Sequence, residues 1–275
     1  MRVLPQPRTA AGREGLAALL AEPGRALVAC DYDGTLAPIV EHPDQALPAP
    51  GAIDALVAVA GVVGSVAVVT GRPAAAAVHL ADLGRVPGIV VLGLYGAQRW
   101  PGASAGTTSA PVPAPGLDAV RAALPDVVAG APAGTYVEDK GGSLAVHTRR
   151  TADPPAALDA VRPALEQLAA RHGLRLDPGR LVLELRPPGA DKGLALEALV
   201  RERRARSVLF AGDDLGDLAA FEAVRRLRLA GVPGLTVASA STETPEVAAE
   251  ADLVVPGPPG VVALLTSLAR TLPSR

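Results

Sequence analysis

Short apolar runs that stop at acidic, glycine or hydroxyl residues recur along this chain, and helical stretches separate them. Ala26 to Tyr32 is the first such run and leads directly into acidic residues. An uninterrupted apolar strand of this kind suits the centre of a parallel sheet covered on both faces. Pro48 to Ala60 then reads as a helix, Ser65 to Thr70 as a second buried strand, Pro73 to Leu83 as a helix and Ile89 to Leu94 as a third strand. Strands and helices alternating at this pace predict βαβ units and a doubly wound sheet. From Ala55 to Val69 the chain is apolar without a charge. That is shorter than the roughly 20 residues a membrane-spanning helix needs. Gly61 and Gly64 also divide it into a helical half and a Val-rich half.

The alternation breaks between Trp100 and Gly116, where Pro, Gly, Ala, Ser and Thr crowd together as in a loop or linker. Beyond it come a helix at Leu117 to Val128, strands near Thr135 to Glu138 and Ser143 to Thr148, and a helix from Pro154 to Arg171. A hairpin follows, Leu174 to Asp177 and Leu181 to Arg186, expected to turn through Pro178-Gly179. The βα alternation then resumes: a helix at Lys192 to Arg203, a strand at Ser207 to Ala211, and a helix beginning at Asp217 and running to Val224. Short strands at Thr236 to Ala238 and Leu253 to Val255 and a closing helix at Val261 to Leu272 complete it. The expectation is an α/β core formed by 1–108 and 188–275, with an α+β unit, 109–187, inserted into it.

Composition narrows the functions available. Hydrophobic residues at 49% and charged residues at 20% suit a folded globular protein and not a disordered one. Aromatics at 2% leave too few rings for the stacking platforms of single-strand nucleic-acid binders. A net charge of -2 gives no general attraction for nucleic acid or anionic membrane, so an anionic ligand requires a local site. No basic patch or nucleic-acid motif is present, and no feature sets an oligomeric state. Cys30 stands alone, so no internal disulfide can form. It reads as a small buried hydrophobe, and a reducing cytoplasmic setting is expected. Met1 to Ala11 has prolines and arginines where a secretory signal would have an apolar core.

The candidate chemistry lies at the strand ends. Asp31-Tyr32-Asp33-Gly34-Thr35 closes the first strand, and ligands of open α/β sheets bind outside the strands' carboxyl ends. Alternate residues of an extended segment face the same way, which lets Asp31 and Asp33 converge. Carboxylates gathered in a motif that itself contains no His or Cys favour a hard cation such as Mg²⁺. An isolated Asp-x-Asp-Gly also suits a plain turn. Three further pieces weigh against that: Gly212-Asp213-Asp214 after another apolar strand, Thr70-Gly71-Arg72 after the second, and Lys192 at the start of a helix, where an anion is favoured.

In order and spacing these four pieces resemble the motifs of the haloacid dehalogenase superfamily. Gly93 to Ala97, Val137 to Lys140, Ser143 to His147, Glu184 to Pro187 and Asp191 to Gly193 are similar to strings of its trehalose-phosphatase family. The resemblance spans about Ala26 to Val224. It implies a Rossmann-like core with an inserted cap that selects the substrate. It implies an Mg²⁺-dependent phosphatase in which Asp31 attacks phosphorus and Asp33 acts first as acid and then as base. Thr70 and Lys192 would bind phosphoryl oxygens, and Asp31, the backbone carbonyl of Asp33 and Asp213 would hold the metal. Gly71, Arg72, Glu138, Lys140 and Glu184 are the expected substrate contacts, and trehalose 6-phosphate the expected substrate.

Glu138, Lys140 and Glu184 also fit a solvated sheet face with cross-strand ion pairs, and His147 a packed or solvated strand histidine. Two departures from the family pattern stand out. Gly216 and Leu218 replace the Thr and Glu of its late motif, and Thr148 replaces the tyrosine of a His-Tyr-Arg string. Another sugar-phosphate phosphatase, of the sucrose- or mannosylglycerate-phosphate type, and a catalytically silent sugar-phosphate sensor are the alternatives.

Overall fold

The computed structural model describes residues 4–40, 42–100, 115–179, 181–240 and 245–273. The chain divides into two compact units. One comprises Met1–Ser109 with Asp191–Arg275, and the other Ala110–Ala190.

The first unit is built on a seven-stranded sheet. Its strands are β1 (Ala26–Cys30), β2 (Ser65–Val69), β3 (Val90–Gly93) and β4 (Gln98–Trp100), then β9 (Ser207–Gly212), β10 (Gly234–Ser239) and β11 (Leu253–Val255) from the later segment. They lie in the order β11-β10-β9-β1-β2-β3-β4, parallel except for the antiparallel β3/β4 pair. The apolar run thus becomes the central strand. Ala26, Val28 and Cys30 face one layer and Leu27 and Ala29 the other, as the two-residue period requires. On the first face pack α1 (Ala10–Ala21), α2 (Ala52–Ala60), α3 (Ala74–Ala81) and α9 (Gly257–Thr271). On the second lie α6 (Lys192–Arg203), α7 (Leu218–Leu229) and α8 (Pro245–Glu250).

The second unit pairs α4 (Pro115–Ala129) and α5 (Pro154–His172) with an antiparallel sheet. Its strands are β5 (Tyr136–Asp139), β6 (Leu144–His147), β7 (Arg175–Gly179) and β8 (Val182–Arg186), in the order β5-β6-β8-β7. Leu144, Val146, Leu183 and Leu185 point to the helices and form the core with Leu124, Val161 and Leu165. The opposite residues of the same strands, including Glu138, Ala145 and Glu184, therefore share the face without helices.

Several boundaries differ from expectation. α1, β4 and α8 have no counterpart in the sequence reading. The helix expected from Pro48 begins at Ala52, because Gly51 at its N-cap adopts a left-handed φ of 80°. Pro178 and Gly179 do not form the hairpin turn. They extend β7 opposite Leu183 and Val182, and the reversal passes through Leu181 at φ 55°. Pro178 is tolerated there because β7 is an edge strand, where a missing N–H breaks no ladder. The linker expected over 100–116 lies, apart from its ends, outside the described residues. Among the described residues no helix is long and apolar enough to cross a membrane.

Candidate active site

β1 and β9 are adjacent and parallel, so the residues following them emerge side by side. The Asp31 amide still donates to the Ala211 carbonyl at 2.8 Å, which carries the pairing one residue past β1. Next the chain reverses tightly. The Tyr32 carbonyl accepts from the amides of Leu36 and Ala37 at 2.8 and 2.9 Å, and Gly34 turns at φ 75°. A Cβ on Gly34 would come within 1.9 Å of an Asp213 oxygen, so glycine is required for space as well as conformation. Tyr32 anchors the loop by donating its hydroxyl to the Ala46 carbonyl at 2.7 Å, and the Ser239 hydroxyl, at the end of β10, donates to the Gly34 carbonyl at 2.7 Å.

This geometry gathers Asp31, Asp213 and Asp217, with one oxygen of each within 4.8 Å of the others. Lys192, 3% exposed at the start of α6, reaches into the group. Its Nζ lies 2.9 Å from Asp31 Oδ1 and 2.8 Å from Asp217 Oδ1. The other Asp217 oxygen accepts from the amides of Asp213 and Asp214 at 3.0 and 3.2 Å, so this carboxylate shapes the loop after β9 as well. Asp213 Oδ1 accepts from Thr35 Oγ1 at 3.0 Å.

The electrostatics follow from burial. Withdrawal from water pushes the Asp31 carboxyl well above its usual range, against the opposing pull of Lys192. Burial, with Asp31 and Asp217 nearby, raises Asp213 to about 10, and burial raises Asp217 to about 6 despite Lys192. For Lys192 burial disfavours the cation, but Asp217 and Asp31 outweigh it and hold the ammonium well above its ordinary value. Three buried carboxylates share one ammonium, and Asp214 Oδ1 is a further buried acceptor without a hydrogen-bond partner among the described residues. An oxygen-only donor set carrying surplus negative charge fits a hard divalent cation.

The remaining residues expected at the site take separate courses. Thr70 is buried at the end of β2, its Oγ1 accepting from the Arg72 amide at 3.1 Å. Gly71 lies against the Tyr95 ring, where a Cβ would sit 2.8 Å from the phenol oxygen. Asp33 brings no carboxylate oxygen to the cluster. It meets the Arg72 guanidinium in a two-pronged pair at 2.6 and 2.7 Å, and Arg72 also lies over the Tyr32 ring. Arg72, expected as a substrate contact, holds the second acid of the motif here. Thr35 and Asp217 had entered only as members of the first and the late acidic motif, without an assigned role, and Ser239 was not singled out. The signal available for Ser239 was its position at a strand end.

In the second unit, Lys140 Nζ lies 3.2 Å from Glu184 Oε2, and the Ser143 hydroxyl donates to Glu184 Oε1 at 2.5 Å. Glu138 Oε2 accepts from His147 Nε2 at 2.9 Å. Ion pairs are therefore present, as the bland reading of this face required, but the face is not simply solvated: Glu184 is only 5% exposed.

A mostly parallel sheet carrying an acidic strand-end cluster, with an antiparallel sheet in an inserted segment, is the fold of a solved haloacid dehalogenase-like hydrolase from Bacteroides thetaiotaomicron, which this chain matches at a TM-score of 0.62, 15% identity and 88% coverage of this chain and 99% of that one. Residues 29–258 match the trehalose-phosphatase family model, and the chain belongs to that family. The trehalose-6-phosphate phosphatase of Escherichia coli is 31% identical over 222 residues, covering 74% of this chain and 81% of that protein. The C-terminal domain of a Candida albicans trehalose-6-phosphate phosphatase superposes with a TM-score of 0.78 at 20% identity, covering 97% of this chain and 99% of that one. Several relatives are longer: the chain spans 15% of an uncharacterised glycosyl hydrolase of Mycobacterium tuberculosis and 48% of the trehalose-phosphate phosphatase of Mycobacterium leprae, at 37% and 34% identity.

Proposed function

We propose that this protein is an Mg²⁺-dependent phosphatase that hydrolyses trehalose 6-phosphate to trehalose and phosphate through an aspartyl-phosphate on Asp31. The observation that carries this reading is the buried Asp31 carboxylate at the end of the central strand, 2.9 Å from Lys192 and grouped with Asp213 and Asp217. Held between β1 and β9, Asp31 loses little freedom on presenting an oxygen to phosphorus, and positioning of this kind lowers a barrier substantially. The Asp31 oxygen forms a bond to phosphorus as the ester P–O bond breaks. Asp33 gives a proton to the departing sugar oxygen and then takes one from the water that releases phosphate from Asp31. Lys192 balances the charge of Asp31 and of the incoming dianion, and the Thr70 hydroxyl supplies a further polar contact. Bound between Asp31, the Asp33 carbonyl and Asp213, Mg²⁺ would contribute electrostatic stabilisation of the developing negative charge.

The inserted unit, 109–187, acts in this reading as the cap that chooses the ester. Glu138, Lys140 and Glu184 offer charge-assisted hydrogen bonds to the many hydroxyls of a disaccharide, while Gly71 and Arg72 lie close to the phosphoryl end. The relatives' names point to the same substrate. The test is phosphate release from trehalose 6-phosphate, sucrose phosphate and mannosylglycerate phosphate, with Asp31→Asn as control. Trehalose 6-phosphate is expected to be the preferred ester, and Asp31→Asn to be folded and inactive. Preference for another ester would overturn the substrate, and turnover by Asp31→Asn would overturn the covalent mechanism.

A further inference from the structure

Strand register in the second unit places Glu138 of β5, Ala145 of β6 and Glu184 of β8 in one cross-strand row. The two carboxylates thus flank a single methyl group on the face without helices. Each has its own nitrogen donor: Lys140 for Glu184, His147 for Glu138. His147 is fixed in turn. Its ring stacks on Tyr136, directly opposite on β5, with centroids 4.8 Å apart and planes 9° from parallel. The Arg150 guanidinium lies over the same Tyr136 ring, 4.3 Å from its centroid. A stacked imidazole has little freedom about its outer torsion, and Nε2 is left aimed at Glu138. A carboxylate only accepts, so Nε2 is the donor of this bond.

Resting on the reading that Glu138 contacts the sugar, we propose that His147, held by Tyr136, is a positioning residue for sugar recognition. It fixes Glu138 Oε2 and thereby sets the orientation in which the carboxylate meets a substrate hydroxyl. Without it the glutamate must be ordered on binding, and that cost appears as a weaker affinity for the sugar ester. Thr148, which stands where the family string has a tyrosine, plays no part in this, since its hydroxyl donates to the Pro154 carbonyl.

The test is a double-mutant cycle of His147→Ala and Glu138→Ala, read with trehalose 6-phosphate and with a small aryl phosphate that lacks the sugar. His147→Ala is expected to raise KM for the sugar ester about 3–10-fold with kcat changed less than twofold. The ratio of sugar to aryl kcat/KM should fall by the same factor. In the Glu138→Ala background the same change should have no further effect, and His147→Gln, which keeps a donor, should recover most of the loss. Independent, additive effects of the two changes would overturn the proposal, as would equal losses on both esters. A thermal melt of each variant identifies a loss caused by unfolding, and His147→Gln then provides the comparison. If the wild-type enzyme prefers a different sugar ester, the substrate reading fails by itself, and the cycle is run with the preferred ester.

Discussion

Lys192→Met tests the charge balance of the site. Methionine keeps an unbranched stem of similar length, so the substitution removes mainly the ammonium. In the native protein that ammonium, 3% exposed, contacts two carboxylates that are themselves 5% and 0% exposed. Removing one member of a buried ionic group costs about 3–5 kcal/mol, because the partners stay buried without compensation. Asp31 and Asp217 can escape by protonation, and this makes the cost depend on pH. Their folded pKa values are raised, by burial, and Lys192 opposes the rise, so removing it raises them further. A carboxyl with a raised folded pKa contributes stability that is fully present below its unfolded value, near 3.8, and is lost as pH climbs through the folded value. For Asp217 in the native protein that value is about 6. Without Lys192 the loss continues upward. The deficit of Lys192→Met against wild type should therefore be small at pH 5 and reach the full 3–5 kcal/mol near pH 8.

Trp100, the sole tryptophan, packs against the core of the first unit, and its fluorescence in urea reports on that unit. In the presence of chelator, with m near 3 kcal/mol/M, the midpoint at pH 8 should fall by roughly 1–2 M. Adding Asp217→Asn should recover part of this, since it deletes one uncompensated charge while an amide oxygen can still accept from the Asp213 and Asp214 amides. An unchanged midpoint at pH 8, or a larger deficit at pH 5 than at pH 8, would refute the reasoning.

Two further outcomes follow from the same cluster. Mg²⁺ at 100 times its dissociation constant should stabilise the protein by about 2.7 kcal/mol, seen as a rise in Tm, and Asp213→Asn should remove most of that rise. At one fixed Mg²⁺ concentration the rise should be larger at pH 8 than at pH 6, because the carboxylates must lose protons to bind the cation and the dissociation constant falls as they do. Gly34→Ala should abolish both the Mg²⁺-dependent rise and phosphate release, since its Cβ would lie 1.9 Å from Asp213. Wild-type Mg²⁺ affinity in this variant, measured by titration calorimetry, would contradict the described turn.

The sequence alone determined the features that depend on local pattern. Uninterrupted apolar runs identified β1, β2, β3 and β9 as buried parallel strands, and the residues at their ends identified Asp31, Thr70 and Asp213. Glu138 and Glu184, as charges within strand-like segments, were expected on an exposed sheet face. Whatever depends on partners distant in the chain was decided by tertiary structure. α1 was invisible because its Ala- and Gly-rich sequence has little amphipathic signal of its own. It packs so closely that a Cβ on Gly15 would meet the Gly234 carbonyl at 1.8 Å, and Thr9, which caps it, is bound to Asp252. Asp31 and Asp33, two residues apart on an extended segment, were expected to converge. Instead the left-handed turn at Gly34 and the guanidinium of Arg72 separate their partners, leaving Asp31 buried with Lys192 and Asp33 one-third exposed with Arg72. Asp217 entered the cluster through a lysine 25 residues earlier, and His147 met Glu138 only through strand register. Spacing along a chain reports which way a side chain leaves the backbone, and only the packed fold determines what it meets there.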